Sequence, residues 1–231
     1  MSALASLTRK PWIWSFVAAG LVWLVTVLFT GGASALGLTL AALTFSSFAI
    51  IVCTGQMLVI TLGPGNIDLS VPATMTLAGT LALKFMAVDN SLILPGLLVA
   101  IAIGLAAGSV NYGLIKLLRI PPIIATLCMS FIVQSTAIWS NRGLRIKPPP
   151  ALAEFATSGP FGIANVALVA LLITIIAWIF LERSIYGRWI TSIGQSMAAA
   201  RMAGVPVDGA RFLTYVICAV LASIAGYLLA S

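Results

Sequence analysis

The sequence predicts an all-α integral membrane protein, a polytopic bundle of about seven transmembrane helices. Of its 231 residues, 61% are hydrophobic and only 7% are charged, and the mean hydropathy is +1.15. A soluble domain carries about 25% charged residues, so this chain has too few charges to cover a water-soluble globule. Long uncharged stretches also separate the charges, and a spanning helix needs roughly 20 apolar residues.

These uncharged stretches predict seven helices, in the order 12–30, 36–62, 68–88, 92–118, 121–140, 162–181 and 212–231. Gly63-Pro64-Gly65 ends the second, because glycine relaxes the backbone and proline lacks an amide hydrogen. Pro121-Pro122 suits the first turn of the fifth. The polar stretch 141–162 is typical of one long loop. Gly104-x-x-x-Gly108 in the fourth helix permits close packing, which we expect within the chain rather than in a dimer.

The basic residues predict that the N-terminus and residues 182–211 lie in the cytoplasm. With seven alternating passes, eight basic residues fall on the cytoplasmic side and four on the outer side, as the positive-inside rule requires. The outer four are Lys84, Arg142, Arg145 and Lys147. A cleaved signal peptide ending near Ala33-Ser34-Ala35 is an alternative for the first segment, but its apolar run is long and favours a retained helix.

Composition also excludes most enzyme chemistry. The chain has no histidine, five acidic residues and three cysteines, each in a different apolar segment. We therefore predict no catalytic residue, no metal and no cofactor, and the chain lacks a phosphate-binding G-x-x-x-x-G-K-[ST] loop. The net charge of +7 comes from basic residues that flank apolar segments. That pattern predicts contact with membrane lipid and no nucleic-acid partner.

Polar residues cluster where the second helix breaks, near 63–72. Asn66, Asp68 and Ser70 follow the glycines, and a break at membrane depth must be buried in protein or line a cavity. We expect these three side chains to contribute to a substrate pathway for a polar solute. The alternative is a tight loop at the membrane surface in which Asp68 only caps the next helix.

A second segment, 190–207, predicts a short helix outside the membrane. Residues 196–203 are good helix formers with little bulk, and Gly204 and Pro206 end the helix. Its small side chains would let another protein approach closely. An amphipathic linker at the lipid headgroups, held by Arg188 and Arg201, explains the pattern equally well.

At these two segments the chain resembles the permease subunits of bacterial ABC importers for monosaccharides, of the ribose/xylose/arabinose type. That family carries Gly-Gly-Ile-Asp-Leu-Ser-Val-Gly where this chain has residues 65–72, and Gly-Gly-Asn-x-Glu-Ala-Ala-Arg-Leu-Ser-Gly-Ile where it has residues 194–205. Residues 123–127 are similar to the family's Phe-Ile-Ala-Thr-Leu. The resemblance covers residues 36–231.

The resemblance implies one permease domain over residues 1–231 in the inner membrane, forming the translocation pathway for a monosaccharide. Its implied partners are cytoplasmic ATPase subunits, which hydrolyse the ATP, an extracytoplasmic sugar-binding protein and a second permease, identical or different. Asn66, Asp68 and Ser70 would lie in or support the pathway. The implied ATPase-coupling residues are Gly194, Ala199, Ala200, Arg201 and Gly204.

Relatives continue beyond the position of Ser231, so the resemblance also implies a chain truncated at its C-terminus. Three other functions stay open: a stand-alone secondary transporter or channel for a small polar solute, a non-functional truncated permease, and a membrane-embedded enzyme. The segment 182–211 discriminates among them, because an ATP-driven importer needs it for ATPase docking and a channel does not.

Overall fold

A computed structural model describes residues 10–31, 35–141 and 147–231, and within these ranges it contains helices and no strand. We label the α-helices in chain order. They are α1 Pro11–Phe29, α2 Ala35–Thr61, α3 Val71–Met86, α4 Ile93–Leu117, α5 Pro122–Ser140, α6 Pro150–Thr157, α7 Asn165–Arg183, α8 Ile185–Gln195, α9 Met197–Met202 and α10 Val207–Leu229. Short 3-10 turns at Asn90–Leu92 and Pro160–Gly162 precede α4 and α7.

All seven predicted membrane segments form helices, and the predicted all-helical, polytopic fold class is confirmed. Six of them (α1, α2, α4, α5, α7 and α10) are long and apolar enough to cross a membrane. The third, α3, has 16 residues, which is about 24 Å against a hydrocarbon core of about 30 Å. It is shorter than predicted because residues 68–70 precede its first turn and Ala87, in the left-handed region with φ +45°, ends it.

The remaining differences from the predicted elements arise at polar segments. Helix α10 begins at Val207 rather than at residue 212, since Asp208 in its first turn forms an ion pair with Lys116 (3.2 Å). The polar stretch 141–162, predicted as a loop, contains α6, and residues preceding the predicted short helix form α8.

The chain divides after Leu43 into two compact units. In the first, the indole Nε1 of Trp23 donates a hydrogen bond to Thr39 Oγ1 (3.0 Å), which joins α1 to the start of α2. A single domain over residues 1–231 stays a prediction. Three of the basic residues counted for the membrane orientation lie outside the described residues: Arg9, Arg142 and Arg145. So do Ala33 and Ser34 of the possible signal-peptide cleavage site.

In the second unit α10 is the central helix, mostly buried, and it packs against α3 and α4. Glycines set the closeness of this packing. A Cβ added to Gly108 would lie 2.6 Å from the Cα of Val216, and one added to Gly104 would lie 2.7 Å from the Cα of Val220. The predicted use of the glycine pair within the chain is therefore confirmed.

Helices α2, α4 and α7 end, and α3, α5 and α10 begin, at the end of this unit that carries α8 and α9, which we call the α8–α9 end. Gly63, just beyond α2, contacts Gly194 of α8. At the opposite end the Lys84 ammonium donates to the carbonyl of Ser140 (3.0 Å), which joins α3 to α5. Because successive long helices run in opposite directions, each polar segment between them lies at one of the two ends of the bundle.

Candidate functional site

The α2–α3 break, residues 62–70, leads the chain out of one long helix and into the next inside the bundle. Gly63 (φ +103°) and Gly65 (φ +80°) adopt left-handed conformations that glycine tolerates without steric cost. Asn111, which contacts the break, lies about 9 Å before the end of α4. The break therefore lies one to two helical turns inside the α8–α9 end. The sequence left two alternatives open, a break deep in the membrane and a loop at its surface, and this position is intermediate between them.

Asp68 holds the break together. Its Oδ1 accepts hydrogen bonds from the amide (2.9 Å) and the hydroxyl (2.6 Å) of Ser70. The side-chain amide of Asn111 on α4 donates to both carboxylate oxygens, at 3.3 and 3.2 Å, and to the Ser70 hydroxyl oxygen at 2.7 Å. Asp68 therefore fixes Ser70, the N-cap residue of α3, whereas no side chain among the described residues caps the first-turn amides of this helix.

Asn66 connects the break to the central helix. Its side-chain amide donates to the carbonyls of Leu62 (3.3 Å) and Gly63 (3.1 Å). Its Oδ1 accepts hydrogen bonds from Arg211 Nη2 and from the Tyr215 hydroxyl, both at 3.3 Å. The Asn66 side chain thus provides a hydrogen-bond donor for two carbonyl groups at the end of α2, which have no partner within the helix. Through its Oδ1 it also joins this end of α2 to α10.

Thr126 of α5 closes the other side of the break. Its hydroxyl oxygen accepts a hydrogen bond from the amide of Leu69 (3.1 Å), and the hydroxyl lies 3.3 Å from the carbonyl oxygen of Ile67. In the apolar interior such backbone groups need protein partners. The backbone groups of Ile67 and Leu69 in the break therefore have hydrogen-bond partners within the protein.

The structure brings the three predicted pathway residues together and buries them. Asn66, Asp68 and Ser70 are each less than 9% exposed, and their hydrogen bonds go to protein groups. Sequence reasoning missed their hydrogen-bond partners, which are Asn111, Thr126, Arg211 and Tyr215. The available signal was Asn111, an amide in an otherwise apolar span. Its Oδ1 is buried without a hydrogen-bond partner.

The α8–α9 segment packs directly on the break. A Cβ on Gly63 would lie 2.9 Å from the Gly194 carbonyl oxygen, so the two backbones touch where side chains would separate them. Tyr186 and Thr214 share a hydrogen bond (2.6 Å) that ties α8 to α10. Movement of α8 would therefore act on both the break and the central helix.

The predicted coupling residues divide into a buried and an exposed set. Ala200 is buried, and Gly194 lies against the break. Ala199, Arg201 and Gly204 are exposed, and Gly204 ends the segment with φ +81°. Sequence reasoning missed Met202, whose side chain is 85% exposed beside them. Met202 thus adds an apolar side chain to the exposed surface that Ala199 and Gly204 share.

No cluster of histidine, cysteine or carboxylate side chains suited to a metal occurs among the described residues. Three of the charged residues at the α8–α9 end instead form a short chain of contacts with Tyr112. Asp208 pairs with Lys116 and accepts a hydrogen bond from the Tyr112 hydroxyl (3.1 Å), and the Arg211 guanidinium lies 5.9 Å from the centre of the Tyr112 ring.

Comparison with known proteins gives a consistent set of matches. A family model described as the permease component of the branched-chain amino acid transport system matches residues 37–231. The chain is 32% identical to the probable ABC transporter permease protein y4mJ of Sinorhizobium fredii, over 78% of this chain and 53% of that protein. It is 30% identical to the fructose import permease protein FruF of Bifidobacterium longum, over 92% of this chain and 63% of that protein.

A third relative is the ribose import permease protein RbsC of Escherichia coli, 27% identical over 78% of this chain and 57% of that protein. The chain thus spans between 53% and 63% of the length of these three relatives. No solved structure matches the chain.

Proposed function

Because the chain belongs, over residues 37–231, to the family of permease components of branched-chain amino acid transport systems, we propose that it is a membrane subunit of an ATP-driven importer. In this role it forms the translocation pathway for a monosaccharide. Relatives named for fructose and ribose import support a sugar as the solute. The chain has no catalytic role of its own, and partner ATPase subunits hydrolyse the ATP.

One observation carries this proposal: the α8–α9 segment exposes an apolar surface to a partner and touches the pathway region with its other side. Met202 and Ala199 are exposed, whereas Gly194 lies against Gly63 in the break. A segment with these two contacts can convert a movement of a docked ATPase into a movement of the helices. A stand-alone channel has no use for such a segment.

The supporting role of the break follows from its burial. Asn66, Asp68 and Ser70 are proposed to hold the α2–α3 break in one arrangement, tied to α4 by Asn111 and to α10 by Tyr215. The unpaired Asn111 Oδ1 leaves acceptor capacity in this cluster.

Ion coupling, which a secondary transporter would use, has little support. The five acidic residues are Asp68, Asp89, Glu154, Glu182 and Asp208. Asp68 alone lies inside the bundle, and it is fully engaged with Ser70 and Asn111. Membrane-embedded acids that carry ions need to bind and release them, and this carboxylate has no such freedom. A passive channel for a small polar solute remains the competing function.

The proposed location is the bacterial inner membrane, which a protein with several apolar helices crosses repeatedly. In the described part of the second unit, six basic residues lie at the α8–α9 end and two, Lys84 and Lys147, at the other. The positive-inside rule favours a cytoplasmic α8–α9 end, and with seven alternating passes we propose a cytoplasmic N-terminus as well. The sugar-binding protein would approach the opposite end, and a second permease copy would complete the pathway.

This orientation is testable with alkaline phosphatase fusions, since the enzyme folds only outside the cytoplasm. A fusion after Asp89 should be active and one after Arg119 inactive. The reverse pattern would invert the assignment of both ends.

Substitution of Met202 by glutamate tests the docking proposal. We expect the tagged variant to insert normally but to lose its ATPase partner on purification in detergent, with recovery at least ten-fold lower, because a charge would replace an apolar anchor at the contact. The matched control is Leu118→Glu, which places the same charge on another exposed apolar side chain (61% exposed) at the same end. Equal recovery of the ATPase with both variants would remove α9 from the interface.

A further inference from the structure

A groove runs along one face of α3 and begins close to the buried break. Its volume is about 560 Å³, within the range of about 300–1,000 Å³ that small-molecule sites occupy. Pro72, Thr76, Thr80 and Leu83 line it from α3, and Asn141 and Gly226 line it from the ends of α5 and α10. These α3 positions recur every three or four residues and share one helix face.

The groove is aligned with the direction of transport. It begins at Pro72, two residues after Ser70 of the break, and extends to Leu83, about 17 Å further along the helix axis. Leu83 lies near the end of the bundle opposite α8 and α9, where Lys84 contacts Ser140. A solute in this groove would therefore pass between the outer end of the bundle and the break.

The lining chemistry suits a neutral polyhydroxy solute. The Thr76 hydroxyl donates its proton to the Pro72 carbonyl (2.9 Å), so its oxygen is left to accept a hydrogen bond from a solute hydroxyl. The Asn141 side chain supplies both donors and an acceptor. Met75, Gly79 and Leu83 offer apolar contact to the C–H faces of a sugar ring, and none of the described residues that line the groove is charged.

From these contacts we propose that the Thr76–Thr80 face of α3 is the wall of the translocation pathway that contacts the sugar, and that the buried Asn66–Asp68–Ser70 cluster holds the start of α3 at the inner end of this wall. The proposal rests on the proposed function and names the residues that meet the solute. According to this proposal, side chains of α3 recognise the hydroxyl groups of the sugar in the membrane subunit.

The test is thiol labelling of Thr80→Cys in membrane vesicles, in a chain whose exposed Cys53 and Cys128 are replaced by serine. A negatively charged, membrane-impermeant methanethiosulfonate should label Thr80→Cys at least ten-fold faster than Phe131→Cys. Phe131 is 67% exposed on α5 outside the groove, so its cysteine faces lipid. Thr76→Cys provides a second groove position should Thr80→Cys fail to fold.

D-ribose or D-fructose at high millimolar concentration should slow the labelling of Thr80→Cys at least three-fold, whereas equimolar glycine betaine should not. Adding Thr76→Val should remove most of this protection. The matched control is Thr136→Val, because the Thr136 hydroxyl makes the same type of bond to its own helix (2.9 Å to the Ile132 carbonyl) outside the groove. That variant should leave the protection unchanged.

Three results would overturn the proposal. Labelling of Thr80→Cys as slow as that of Phe131→Cys would place α3 against lipid. Rapid disulfide formation between two copies, without labelling, would make the groove a permease–permease contact. Fast labelling without sugar protection would leave an aqueous crevice that does not bind sugar. None of these requires ATP or the ATPase, so the proposed ATP-driven function can stand or fall separately.

Discussion

Replacing Gly104 and Gly108 together with alanine is expected to destabilise the protein more than any other pair of single-methyl additions in α4. Each new Cβ would lie less than 3 Å from backbone atoms of α10, which cannot rotate away as a side-chain end can. Overpacking of this kind costs about 1–3 kcal/mol per site. The affected helix is the central one, against which both α3 and α4 pack, so the loss spreads through the second unit.

The melting temperature in detergent, followed by fluorescence-detected gel filtration, measures this effect. Gly113→Ala is the matched control, because Gly113 lies in the same helix and a Cβ there meets no atom within 4 Å. Alanine at that position should be neutral or stabilising by up to about 1 kcal/mol, as its helix propensity exceeds that of glycine. Equal melting temperatures for the double variant and Gly113→Ala would show that α4 and α10 do not approach as described.

The second large effect is expected from Asp68→Ala. The substitution removes the acceptor of the Ser70 amide and hydroxyl and both carboxylate acceptors of the Asn111 amide, all buried. Each buried donor left without a partner costs about 1–3 kcal/mol, so the α2–α3 break should lose its single arrangement. Both thermal stability and sugar uptake should fall.

Asp89→Ala separates this role from the general effect of losing a carboxylate. Asp89 accepts the amide of Ser91 at 2.8 Å, the same local bond that Asp68 makes to Ser70, but it does so in an exposed turn. Stability and uptake should therefore be close to those of the unmodified chain. Normal expression, stability and uptake of Asp68→Ala would exclude Asp68 from the support of the break and from the pathway alike.

Hydropathy predicted the membrane helices well because length and the absence of charge decide which segments can enter a bilayer. It misplaced the start of α10 because Asp208 is tolerated there through its ion pair with Lys116, a residue distant in sequence. Helix α8 was missed because residues 182–211 were interpreted as a polar segment, although Tyr186, Ile190 and Ile193 recur at helical spacing and are buried on one face.

In the candidate site, too, the local sequence predicted some features, whereas contacts between distant residues decided the others. Local residue chemistry identified Asn66, Asp68 and Ser70 as a polar break, since glycine, proline and a carboxylate stand together. Local chemistry could not find the partners of these residues, because Asn111 lies 43 residues from Asp68 and Tyr215 lies 149 residues from Asn66. Nor could it separate the buried Ala200 from the exposed Met202, which depends on how α9 rests on the bundle.

In the proposed function, this chain moves a sugar only while partner ATPase subunits hydrolyse ATP. The direct measurement is uptake of radiolabelled ribose and fructose into proteoliposomes that contain the chain with its ATPase and binding protein. We expect accumulation with ATP, none with a non-hydrolysable analogue, and none when the ATPase is omitted. Sugar entry that proceeds equally without ATP would contradict the proposed function and would identify a passive channel instead.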